Sequence, residues 1–170
     1  MIINDKDVGR WIVDPSRSQL SFAVRHMWGM VTVRGNMAVE GETTVRPSGL
    51  SVLTVRLRAD SIDTKNRKRD EHLRSPEFLD VARHEWVEFR AQDVPRPENG
   101  SLTAYGVLTV RGHEEPQAVS ATVTRSPNDE VVVQASARLN RSHVGMTWNP
   151  VGMSSMLVRA QIRAVFVRAG

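Results

Sequence analysis

Cysteine is absent from the 170 residues, which excludes disulfide staples and thiolate metal sites. Aromatic residues are few: four Trp, four Phe and one Tyr. A core must therefore come mainly from aliphatic side chains. No stretch reaches the roughly 18 apolar residues of a spanning helix, so stable membrane insertion is not expected. Asp5, Lys6 and Asp7 precede any apolar run, which does not read as a secretory leader and leads to the expectation of a cytoplasmic chain. Charge of one sign is scarce too. Lys and Arg number 23 against 19 Asp and Glu, a formal excess of +4. The one concentrated basic run, Lys65-Asn66-Arg67-Lys68-Arg69, is followed at once by Asp70 and Glu71, so a nucleic-acid partner is not expected.

What the sequence has instead is alternation. Leu20, Phe22 and Val24 share one face of a strand over 18–25, and Val31, Val33, Met37 and Val39 share a face over 31–39. Gly35 interrupts that second strand as a bulge or sharp bend would. The same period places Leu53, Val55 and Leu57 together in 51–59, and Phe89 with Val87 in 86–92. Strands follow over 101–110, 117–125, 131–139 and 156–167. In the last two, Ala135 and Ala137 share a face with Val131, Val133 and Leu139, and Ile162 and Ala164 with Val158 and Phe166. Turn signals separate the strands, among them Pro47-Ser48-Gly49, Pro95 to Gly100 and Pro127-Asn128-Asp129. Eight strands with no helices alternating between them predict an all-β, antiparallel sheet in one domain over 1–170. Periodicity does not decide between a closed barrel and a two-sheet sandwich, and the small aliphatic and alanine side chains on the inward faces favour the barrel. Residues 61–80 break the alternation. A short helix is expected at 70–74, with Asp70 capping it or pairing with an arginine, packed over one barrel end by Leu73 and Phe78.

Catalytic patterns are missing. The five histidines fall in no His-Glu-x-x-His or His-x-His spacing, and basic residues surround Asp70-Glu71-His72, so no metal is expected. No Gly-x-Ser-x-Gly elbow and no phosphate loop occurs, and the chain does not read as an enzyme. The scarce large residues gather in two loop-like stretches, His26-Met27-Trp28-Gly29-Met30 and Gly145-Met146-Thr147-Trp148-Asn149-Pro150. They either plug one end of a filled core or form the mouth of an apolar pocket.

Trp11-Ile12-Val13-Asp14-Pro15, Val24-Arg25-His26-Met27 and Val33-Arg34-Gly35 resemble the opening motifs of the YceI-like family, bacterial lipocalin-like proteins associated with polyisoprenoid binding. Ser61-Ile62-Asp63-Thr64 and Arg69-Asp70 with His72-Leu73-Arg74-Ser75-Pro76-Glu77-Phe78 are the longest match. Gly106-Val107-Leu108-Thr109-Val110-Arg111-Gly112 and Arg141 with Gly145-Met146 are similar to the later ones. The resemblance implies an eight-stranded antiparallel lipocalin-like barrel with a short helix in a long loop. It also implies an apolar small-molecule ligand inside, an isoprenoid quinone or polyprenyl lipid, and a homodimer as in relatives. The alternative is a stress-associated structural or scaffolding barrel without an obligate ligand. Alternation then assigns the cavity wall to Phe22, Val24, Val33, Met37, Leu53, Val55, Leu57, Phe89, Leu108, Ala135, Ala137, Ile162 and Ala164. Trp28, Met30, Leu73, Phe78, Met146 and Trp148 are expected near an end, controlling access.

Overall fold

Period-two alternation becomes nine antiparallel segments in the computed structural model, which describes residues 5–170. They are β1 (Gly9–Val13), β2 (Gln19–His26), β3 (Val31–Val45), β4 (Ser51–Arg58), β5 (Trp86–Val94), β6 (Ser101–Val110), β7 (His113–Arg125), β8 (Val131–Asn140) and β9 (Leu157–Arg168). Their pairing gives eight barrel positions. β1 pairs with β3 from Gly9↔Val45 to Ile12↔Glu42, and with β9 from Trp11↔Arg168 to Val13↔Phe166. β2 lies between the same two strands, from Gln19↔Ala38 to His26↔Val31 and from Gln19↔Arg163 to Val24↔Val158. β1 and β2 are therefore one stave broken at Pro15–Arg17, and the remaining pairings close an eight-stave antiparallel barrel.

The structure corrects several boundaries. β1 was not expected as a strand, because five residues are too few to show a period. β3 runs on to Val45 beyond the expected 39, since β1 and β4 flank its polar second half on both sides. β7 begins at His113 because β6 reaches it through a tight turn at Arg111-Gly112. Gly35 makes no bulge: Phe22↔Gly35 sits in regular register, and the irregularity in pairing falls between Ser51 and Leu53.

The long connection carries α1 (Arg67–Arg74), one turn earlier than expected at its start. Its cap is Asn66, whose side chain accepts the Arg69 N–H at 3.0 Å. Asp70 is instead buried inside the first turn. It accepts from the Thr64 N–H (2.9 Å) and the Thr64 hydroxyl (2.5 Å), pinning the chain that leads into the helix. Arg74 reaches back to the carbonyls of Asp60 and Ile62, both at 3.0 Å. β4 ends and β5 begins at the same rim of the barrel, so α1 covers that rim, the helix end.

Two clusters hold the two ends. Met37, Ile62, Leu79, Val87, Val110, Val144 and Met146 form the one beneath α1, with Leu73 and Phe78 packed against it as expected. Trp11, Val13, Val39, Val45, Ala164 and Phe166 form the one at the opposite, far end.

Candidate functional site

Between those clusters many inward side chains are only half-buried. Phe22, Val24, Leu53, Val55, Leu57, Phe89, Leu108, Ala135, Ala137, Ala160 and Ile162 all face inward on their strands, yet none reaches full burial. A side chain can point into a closed barrel and stay accessible only if it borders open space. That space is a cavity of about 440 Å³, within the usual range for small-molecule sites. Its cause is local. Small side chains meet across neighbouring staves, Ala121↔Ala135 and Ala137↔Ala160, where larger ones would fill the interior. Glycines thin the wall on either side of these staves, at Gly35 of β3 and Gly106 of β6, and Phe22 and Phe89 lie over them.

All the residues assigned to the wall from sequence line this cavity: Phe22, Val24, Val33, Met37, Leu53, Val55, Leu57, Phe89, Leu108, Ala135, Ala137, Ile162 and Ala164. Leu73, Phe78, Met146 and Trp148 line it at the helix end. Trp28 and Met30 do not. Met27, Trp28 and Gly29 take left-handed backbone angles (φ 52°, 54° and 89°), and this turn reverses the chain at the tip of the β2–β3 hairpin. The two side chains are left in solvent, 63% and 76% exposed.

Polar wall residues went unassigned in the sequence because alternation sees only apolar faces. At the helix end they are His26, Arg69, His72, Arg141 and Ser154, while Asp7 borders the far end. Arg69 is held by Thr64, donating to its hydroxyl (2.8 Å) and carbonyl (2.9 Å). His72 stands edge-on to Phe78 and Trp148, with ring centroids 5.1 and 4.5 Å away, and its Nε2 is 2.9 Å from a Glu77 carboxylate oxygen. Trp148 borders the cavity and is still 39% exposed, so it spans from the interior to water. This aromatic trio is the mouth.

Arg141 lies beneath it, buried, with its guanidinium 5.8 Å from the Phe78 ring centre. It donates to the carbonyls of Ser155 (3.0 Å), Met146 (2.7 Å) and Trp148 (2.9 Å), so one side chain folds the 141–156 loop over the barrel. Burial pushes this guanidinium below its usual pKa. At the far end Trp11 is buried, its indole N–H donates to the Asp7 carbonyl at 2.9 Å, and Arg125 and Arg168 cover its ring.

Chemistry beyond binding finds little support on this wall. His26 Nδ1 and the Ser154 hydroxyl are 2.5 Å apart, but among the described residues no carboxylate holds the other ring nitrogen, as a serine nucleophile's base requires. Among the described residues no group of three or more His, Cys, Asp or Glu gathers to hold a metal. No described helix is long and apolar enough to cross a membrane.

The description of the YceI-like domain family matches residues 11–166. Curated relatives include a UPF0312 protein of Vibrio cholerae, 28% identical over 109 residues, which is 62% of this chain and 57% of the relative. Another, from Serratia proteamaculans, is 29% identical over 122 residues, 69% of this chain and 62% of the relative. The alignments thus span little more than half the length of these relatives. Among solved structures, Burkholderia cenocepacia BcnA superposes with a TM-score of 0.79 at 16% identity, covering 90% of this chain and 98% of that one. A polyisoprenoid binding domain from Saccharophagus degradans, implicated in plant cell wall breakdown, superposes at 0.74 and 12% identity, covering 94% and 98%. At these identities the likeness establishes the fold.

Proposed function

The chain belongs to the YceI-like family, and from that premise we propose that it is a binding protein whose barrel holds one long apolar molecule of the isoprenoid class, a polyprenyl lipid or an isoprenoid quinone. The observation that carries this reading is the ring of inward but half-buried aliphatic side chains around a cavity with buried Trp11 at one end and Trp148 reaching water at the other. The name of the Saccharophagus degradans domain supports the isoprenoid class. Burial of hydrocarbon is the driving force, about 0.8 kcal/mol per CH₂ and so about 4 kcal/mol for each five-carbon unit. Ordering the tail offsets part of that gain. The polar groups at the helix end orient the ligand: the tail runs toward Trp11, and an oxygen-bearing head lies near His26, Arg69 and Ser154.

Protein purified without detergent and extracted with organic solvent is expected to release a stoichiometric isoprenoid, identified by mass spectrometry. Ala135→Phe and Ala137→Phe each place a ring in the cavity without adding charge. Folded variants, checked by circular dichroism, should retain at least about tenfold less of that lipid. Full retention in both variants, or an empty extract that no added isoprenoid replenishes, would support a structural barrel instead.

A further inference from the structure

The helix end of the barrel exposes large apolar side chains that the cavity does not use. Val151 is 81% exposed, Met30 76% and Trp28 63%, the highest exposures of large apolar side chains among the described residues besides Tyr105. They sit on two loop tips, the β2–β3 hairpin and the segment between β8 and β9. The tips are tied together. The Trp28 N–H donates to the Met153 carbonyl at 3.1 Å, and the Ser155 N–H to the Arg25 carbonyl at 2.8 Å. The same segment carries Trp148, the residue that reaches from the cavity to water. Single exposed apolar residues need no explanation, whereas a tied group at a cavity mouth does.

Directly behind these tips runs a stripe of positive charge. On the outer face of the barrel, Ala23 of β2 lies between Arg34 of β3 and Arg159 of β9. Arg159 in turn faces Arg138 of β8, and Arg25 follows two residues on, next to the hairpin. All four arginines are exposed, and among the described residues none has an ion-pair partner. Like charges opposite one another on a sheet are destabilising, so the stripe calls for negative charge from outside. At about 3.3 Å per residue it lies roughly 10 Å behind the hairpin tip. That is comparable with the roughly 5–10 Å to which an interfacial apolar face enters the headgroup and acyl boundary.

We propose that the helix end docks on an anionic lipid surface, with Trp28, Met30 and Val151 entering the boundary and Arg25, Arg34, Arg138 and Arg159 meeting the headgroups. A second copy of the chain fits less well, because a two-fold contact through this face sets arginine stripe against arginine stripe. The docking face stands on surface residues and is independent of what fills the cavity. If both readings hold, the mouth at Trp148 is presented to the membrane and lipid passes without crossing water.

The test is co-sedimentation of the full chain with vesicles of phosphatidylcholine alone or mixed with phosphatidylglycerol at about two to one. Binding is expected to the mixed vesicles, weaker by about tenfold or more to phosphatidylcholine alone, and falling as salt rises. Arg138→Gln with Arg159→Gln should weaken it about 25-fold, taking about fivefold per arginine. Trp28→Ser with Met30→Ser should weaken it about tenfold or more. These sites are exposed, and circular dichroism checks that each variant keeps its fold. No binding to mixed vesicles overturns the proposal, as does binding untouched by either double variant. A stable dimer in sedimentation that shields Trp28 from an aqueous quencher also overturns it. Vesicle binding by a chain that neither retains nor takes up an isoprenoid would sink the cavity reading and leave the docking face standing.

Discussion

Two phenylalanines on the cavity wall are held flat by glycines. A Cβ on Gly35 would lie 2.4 Å from Phe22 Cζ and 2.9 Å from Thr64 Cγ2. A Cβ on Gly106 would lie 2.7 Å from the Phe89 ring and 2.3 Å from the Arg90 carbonyl oxygen. The first clash is chiefly with a ring that can swing into open space, the second also with backbone that cannot. Gly35→Ala is therefore expected to cost about 1–2 kcal/mol and to shrink the cavity, lowering its uptake of an apolar fluorophore. Gly106→Ala should cost more, about 3 kcal/mol, by urea denaturation. Equal midpoints for the two variants would contradict this account. Gly35 could be singled out in the sequence as an interruption, but its partner could not. The ring that needs the gap belongs to another strand.

At the scale of elements, the break between β1 and β2 is built from charge. Asp14 accepts from the Ser16 N–H (3.0 Å) and hydroxyl (2.7 Å) and from Arg17 Nε (2.7 Å). Arg17 also forks onto Glu130 at 3.0 and 2.7 Å, joining the broken stave to the turn before β8. The Ser16 hydroxyl, then Arg17, holds Asp14 below its usual pKa, and Arg17 does the same to Glu130. Carboxylates lowered in the folded state contribute stability above their unfolded pKa, about 4, and lose it as pH falls through the folded values. The melting temperature is expected to drop as pH goes below about 4. Arg17→Met should reduce that acid sensitivity while lowering the neutral-pH melt only slightly, as suits a surface cluster. An unchanged slope in the variant would show that other carboxylates set the acid limit. The lost alternation and Pro76 place α1 in the sequence, though not its start. Its cap was misplaced because Asp70 and Asn66 are both good cap residues and only the buried Thr64 decides between them.

At the scale of the whole molecule, closure joins the two ends of the chain. β1 and β2 both pair with β9, so the barrel exists only once the first and last strands have met. Such non-local pairing forms slowly. A chain begun at residue 18 would lose β1 and with it buried Trp11, baring the edges of β3 at 42–45 and β9 at 166–168. It is expected to associate through those edges, seen as larger species in size-exclusion chromatography, and to melt well below the full chain. A truncated chain that stays monomeric and equally stable would show that β2 alone closes the barrel.

The sequence by itself determined eight of the nine strands, their antiparallel character and the inward face of those with clear alternation. A side chain's sense on a strand is set by its neighbours two residues away, so Leu53, Val55 and Leu57 could be assigned to one wall without a partner in view. The tertiary structure decided what depends on distant neighbours. It put β1 and β2 end to end in one stave, where Gly9–Val13 alone shows no period. It turned Trp28 and Met30 outward through a left-handed turn. It buried Arg141 under the loop that this residue itself ties down. It also left the interior hollow, because a cavity is a sum of volumes over all eight staves. Ala121 beside Ala135 and Ala137 beside Ala160 become open space only when register brings them together.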